Sequence, residues 1–130
     1  MSDLRLPSIN RVQLAGRLTQ DPEVRYTQDG RSVLNAKMAT NRRYRDRSGA
    51  WQEETSYIAV VAWQALAERC AEYLRKGSAV FVEGRLKSHS WQAEDKTSRN
   101  VLEVYAQSIQ CLDRRDSGEQ AGNDLDVEAA

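Results

Sequence analysis

The residues best equipped for chemistry gather between Thr40 and Trp63, in the stretch TNRRYRDRSGAWQEETSYIAVVAW. Arg42, Arg43, Arg45 and Arg47 surround Tyr44, Ser48-Gly49 marks a turn, and Trp51, Tyr57 and Trp63 follow. Guanidinium groups meet phosphates and flat rings meet bases. Interleaving the two is what a surface needs to hold unpaired nucleic acid. Glu53 and Glu54 lie too far along the chain to neutralise the arginines locally, so the run is expected to be a concentrated basic loop. Trp91 closes a later stretch in which Arg85, Lys87 and His89 share its parity, and such residues are rarely fully buried. Tyr44 and Trp91 therefore read as binding residues. Tyr57 and Trp63 fit the core and a stacking platform equally well, because Tyr57 shares a face with Val61 and Trp63 adjoins a predicted helix. Trp51 reads as an anchor for the loop.

The elements that must position these side chains follow from periodicity. Ile9–Thr19 alternates, with Val12, Leu14 and Leu18 on one side and Arg11, Gln13 and Arg17 on the other, which predicts a half-buried strand. Gly16 is placed where a barrel strand bends. Asp21-Pro22 breaks the run, Val24–Tyr26 extends again, and Asp29-Gly30 signals a turn. Ser32–Asn41 and Thr55–Trp63 are predicted strands flanking a long polar loop, Arg42–Glu53. Gln64–Leu74 changes period, with Leu66, Cys70 and Leu74 recurring every four residues as a helical stripe. Ala79–Trp91 and Asn100–Leu112 are the last strands, joined by a polar loop. Five strands with one helix between the third and fourth is the order of an OB-fold, an all-β Greek-key barrel sealed by that helix.

Charge and composition narrow the function classes. The whole chain is formally neutral, but residues 116–130 hold five acids (Asp116, Glu119, Asp124, Asp126, Glu128) and no Lys or Arg. The first 115 residues therefore carry 14 acids against 19 bases, a net of +5. A mildly basic body with an acidic tail is compatible with a polyanionic partner. No apolar run reaches the length of a membrane span and the N-terminus lacks an apolar signal core, so a cytoplasmic, nucleoid-associated location is expected. Cys70 and Cys111 read as small buried side chains. One histidine and no cysteine pairing give no metal site, no cofactor is implied, and no catalytic constellation supports an enzyme.

The segments INRVQLAGRLTQDPEVRYTQDG, ATNRRYRD, GAWQEET, VVAW, LAERCAEYLRKGSAVFVEGRLKS and IQCLDRR resemble the bacterial single-stranded DNA-binding protein family over about residues 8–115. That resemblance implies an OB-fold over 9–115, with a flexible leader over 1–8 and a short disordered acidic tail over 116–130. It implies base stacking on Tyr44, Tyr57, Trp63 and Trp91, and phosphate contacts from Arg11, Arg45, Arg47, Arg75, Lys76 and Lys87. Arg42 and Arg43 are expected to restore charge that Ala59 and Ala65 remove. The implied activity is sequence-independent protection of single-stranded DNA in replication, recombination and repair. The implied assembly is a homotetramer with first strands paired across a dimer interface. Two departures stand out. Tyr57-Ile58 replaces the usual Trp-His pair, whose histidine serves subunit contacts. The tail DSGEQAGNDLDVEAA lacks the Pro-Phe ending that repair and replication partners grip. A tail-poor paralogue serving DNA uptake or a plasmid, a primosomal OB adaptor and an RNA-binding OB domain are the competing possibilities.

Overall fold

A computed structural model describes residues 4–113 of the protein. The expected acidic tail over 116–130 and the first three residues of the expected leader lie outside them. Alternating residues build six strands and one helix: β1 (Val12–Leu18), β2 (Glu23–Tyr26), β3 (Ser32–Arg45), β4 (Trp51–Trp63), α1 (Gln64–Tyr73), β5 (Ala79–Gln92) and β6 (Ser98–Cys111). The sheet runs β1-β5-β6-β4-β3-β2, and an extra pairing of β1 with β3 closes it. Five long strands thus form the barrel of an OB-fold, and β2 adds a short outer ribbon on β3. Every neighbouring pair is antiparallel except β4 and β6, which meet in parallel through Ala59–Val61 and Glu103–Tyr105.

Closure depends on a close approach. β1 pairs with β5 from Val12 to Arg17 and reaches β3 only at Arg17 and Leu18. At Gly16 a Cβ would run into the carbonyl oxygen of Ala39, so the crossing needs a residue with no side chain. Asn10 extends the β1 edge by side chain: its amide donates to Leu86 O and accepts from Leu86 N, each at 2.8 Å.

The core fills from the inward parity of the strands. Leu34, Met38, Val60, Val80, Val82 and Val104 are fully enclosed, and the α1 stripe of Leu66, Ala67 and Cys70, continued by Leu74, caps one end. Cys70 and Cys111 are buried free thiols, as expected. Burial, with Cys111 adding to it, pushes the Cys70 thiol up to about 12, which keeps it protonated and unreactive.

One expectation fails in an informative way. Arg42–Glu53 is not a long loop: β3 continues to Arg45, β4 begins at Trp51, and their ladder runs unbroken between Arg45↔Trp51 and Val33↔Trp63. Charged residues carry no hydrophobic alternation, so nothing local marks these as strands, yet the long pairing partner carries them. Folding back also brings Glu54 opposite Arg42, where Arg42 Nη1 and Glu54 Oε1 lie 3.1 Å apart. The acids do reach the arginine run.

Candidate nucleic-acid interface

Residues directly opposite in a ladder share a face, so the register sorts every side chain. Across β3 and β4, Val33 faces Trp63, Asn35 faces Val61, Lys37 faces Ala59, and Ala39 faces Tyr57. These form the outward side, since their alternates Leu34, Ala36, Met38, Val60 and Ala62 are the core. β6 extends that side, with Glu103 and Tyr105 against Ala59 and Val61. β5 completes it, setting Arg85 against Tyr105, Lys87 against Glu103, His89 against Val101 and Trp91 against Arg99. One continuous face therefore carries Trp63, Tyr57, Tyr105 and Trp91.

Cations are held over these rings. The Arg31 guanidinium lies 5.1 Å from the Trp63 ring centre and is itself braced by Asp29, 3.2 Å from Arg31 Nε. Arg85 and Lys87 lie 5.3 and 5.9 Å from the Tyr105 ring. His89 stacks on Trp91 with centres 5.7 Å apart and planes inclined by 29°. Tyr57 is 68% and Trp91 47% exposed, so neither is a core residue; Trp63 is half-buried. A cation over a ring leaves the ring's other surface available and adds charge beside it.

The arginine run divides by parity. Arg43 and Arg45 fall on the outward side, their register partners being Glu53 and Trp51. Arg42 and Tyr44, opposite Glu54 and Gln52, fall on the reverse side of the same hairpin, with the Arg42 guanidinium 4.9 Å from the Tyr44 ring. Arg47 sits exposed in the turn. Asp46 fixes that turn by accepting from Ser48 N, Ser48 Oγ, Ala50 N and Gln52 Nε2. These bonds, the Ser48 hydroxyl first, hold the Asp46 carboxyl below its usual range.

The remaining candidates lie elsewhere. Arg11 is exposed just before β1. Arg75 donates to the carbonyls of Ala71 and Leu74 at 3.0 and 2.7 Å, occupying its guanidinium at the end of α1. Lys76 N donates to Asp21 at 2.7 Å, placing Lys76 at the same end, away from Trp63 at the helix start. Sequence reasoning missed Tyr105 and Arg31. Tyr105 shares parity with Glu103 and Val101, but its place beside Val61 comes from a parallel pairing that no local pattern reveals. Among the described residues no cluster of His, Cys, Asp or Glu could hold a metal, and no helix is long and apolar enough to cross a membrane.

The model of the single-strand binding protein family matches residues 9–112, which takes in the whole barrel. The chain belongs to that family. Within it, single-stranded DNA-binding protein 2 of Chlorobaculum tepidum is 50% identical over 111 residues, covering 85% of this chain and 75% of its own. The single-stranded DNA-binding protein of Halalkalibacterium halodurans is 42% identical over 118 residues, covering 91% of this chain and 69% of its own. Among solved structures, a complex of Plasmodium falciparum SSB with ssDNA superposes with a TM-score of 0.77 at 27% identity, over 85% of this chain and all of that one. A deletion mutant of the Thermus aquaticus single-stranded DNA-binding protein gives 0.74 at 34% identity, over 82% and 52% respectively. Of the four aromatics expected from the sequence to stack bases, Tyr57, Trp63 and Trp91 lie on the outward face and Tyr44 on the reverse of the hairpin.

Proposed function

We propose that this protein binds and protects single-stranded DNA without regard to sequence, as part of replication, recombination and repair. The observation that carries this is the outward face itself: four aromatic side chains on three adjoining strands, β4, β6 and β5, flanked by Lys37, Arg85 and Lys87. Bases stack on Tyr57, Trp63, Tyr105 and Trp91, while Lys87, Arg85, Arg43 and Arg45 take phosphates. Arg42 is partly neutralised by Glu54, and Tyr44 meets a strand only where it passes to the far side of the hairpin. Arg11, Arg47, Arg75 and Lys76 lie off the face and act on longer DNA that wraps the barrel. Stacking reads no base edge, so sequence preference is weak, and duplex is disfavoured because its bases already stack on one another.

The protein works as a homotetramer, and repair and replication proteins are its downstream partners. Among the described residues Val12–Gly16 of β1 has a strand partner on only one side, which leaves a ladder edge for a second copy. Binding of a labelled thymidine oligonucleotide, followed by anisotropy against rising salt, tests the reading. Tight, salt-sensitive binding that duplex and matched RNA compete poorly supports it; equal competition by duplex refutes it, and preference for RNA favours an RNA-binding module.

A further inference from the structure

Trp51 has no part in the barrel, yet it is a large apolar ring left 57% exposed on the outward side of the β3–β4 hairpin. It belongs to no core cluster. Arg45 stands directly across the ladder and Arg43 on the diagonal, with guanidinium carbons 5.1 and 5.0 Å from the ring centre. Among the described residues neither arginine makes an ion pair or hydrogen bond, whereas Arg42 on the reverse side is paired with Glu54. The two sides of the hairpin end therefore differ: behind, Arg42 is paired with Glu54, and in front an indole has two cations near its ring, with Glu53 across the ladder from Arg43 but not in an ion pair with it. It is also held in shape, because the four bonds to Asp46 fix the turn beside it.

Building on the single-strand-binding reading above, we propose that Trp51, Arg43 and Arg45 form an additional nucleotide site. One base stacks on the indole, and the guanidinium groups take the phosphates on either side of it. Base–aromatic stacking tolerates any base, and two arginines outside any ion pair among the described residues suit the flanking linkages. Trp51 and Tyr57 lie on the same side of β4, about 20 Å apart at ~3.3 Å per residue. The site therefore lengthens the binding path outward along the hairpin instead of thickening the central face. Were Trp51 only an anchor for the hairpin, its ring would stay occupied by the two arginines when DNA binds.

Fluorescence separates these outcomes. The chain has three tryptophans, so W63F/W91F leaves Trp51 as the sole indole. With a fluorescein-labelled thymidine oligonucleotide of ~30 nucleotides, anisotropy reports binding and indole emission reports stacking at Trp51. Emission should fall along the same isotherm as anisotropy rises; constant emission while anisotropy saturates overturns the site. In the otherwise unaltered protein, W51A should weaken binding about 5- to 150-fold and W51F should recover most of it, with an unchanged circular dichroism spectrum. Equal affinity of W51A and the parent protein also overturns it. If the parent protein shows no anisotropy change with the oligonucleotide, the single-strand-binding reading itself fails, a result distinct from loss at Trp51 alone.

Discussion

Tyr44 and Tyr57 stand on opposite sides of one β-hairpin. Tyr57 lies opposite Ala39 on the outward face, whereas Tyr44 lies opposite Gln52 with the alternates of that face. A single short oligonucleotide seated on the outward face meets Tyr57 and not Tyr44.

Length dependence follows from that division. Tyr57→Ala should weaken binding of thymidine oligomers of every length, within the ~1–3 kcal/mol per base found by substitution in OB-fold single-strand binders. Tyr44→Ala should leave short oligomers unaffected and weaken only those long enough to pass round the hairpin. Anisotropy titrations over a length series check both; equal losses at all lengths for Tyr44→Ala would contradict the two-sided arrangement.

Trp91 offers a clean separation of binding from folding. It is exposed near the end of β5 and its ring stacks with His89, itself exposed. Trp91→Ala should lower DNA affinity while moving the thermal midpoint by no more than a surface change does, a stability effect within about 0.5 kcal/mol. A collapse of the melting transition would instead make Trp91 structural.

The cations over Tyr105 should appear in the salt dependence. Each phosphate contact on a single strand contributes ~0.7 to the slope of log affinity against log salt. Removing Arg85 and Lys87 together should therefore reduce the slope by about 1.4. An unchanged slope would assign them to the scaffold.

Barrel closure is tested at Gly16. Its missing Cβ is what lets β1 lie against the Ala39 carbonyl. Gly16→Ala forces backbone apart at the one place where β1 and β3 join, and overpacking of this kind costs typically ~1–3 kcal/mol. Urea denaturation should show that loss; a stability equal to the parent would mean the strands can separate freely.

The hairpin turn carries a pH signature. Asp46 is stabilised as a carboxylate, chiefly by the Ser48 hydroxyl and the Gln52 amide, so its folded value sits below the ordinary 3.8. The ordering this provides is complete above pH 3.8 and is lost as pH falls through the lower folded value. The amide resonances of Ser48 and Ala50 should stay fixed down to pH 4 and move below it. Asp46→Ala should release them at neutral pH, and fixed resonances in that variant would show that the turn holds itself.

Much of this was legible in the chain. Alternation in Val12–Leu18, Ser32–Ala39 and Ala79–Val82, and the four-residue stripe of Leu66, Cys70 and Leu74, mark barrel and helix because burial enforces a period. Exposure of Trp91 was readable from its charged neighbours. The hairpin was not, for a geometric reason. Whether Tyr44 shares a side with Tyr57 depends on the register, and a slip of one residue reverses every side chain of the strand. Spacing along the sequence contains no such information. Tyr105 and Arg31 stayed hidden for a related reason: each gains its place from a partner far along the chain, Val61 for one and Trp63 for the other.

The parallel contact of β4 with β6 spans only Ala59–Val61, with Val60 and Val104 buried beneath it. Beyond that root the β3–β4 and β5–β6 hairpins share no ladder among the described residues, so they extend as two arms from one junction. Two arms joined at one buried junction offer a flexible polymer varied paths along them, away from the core. Amide hydrogens of Ala59–Val61 should exchange among the slowest in the molecule, while the outer ends of the arms exchange early and slow down once DNA lies across them.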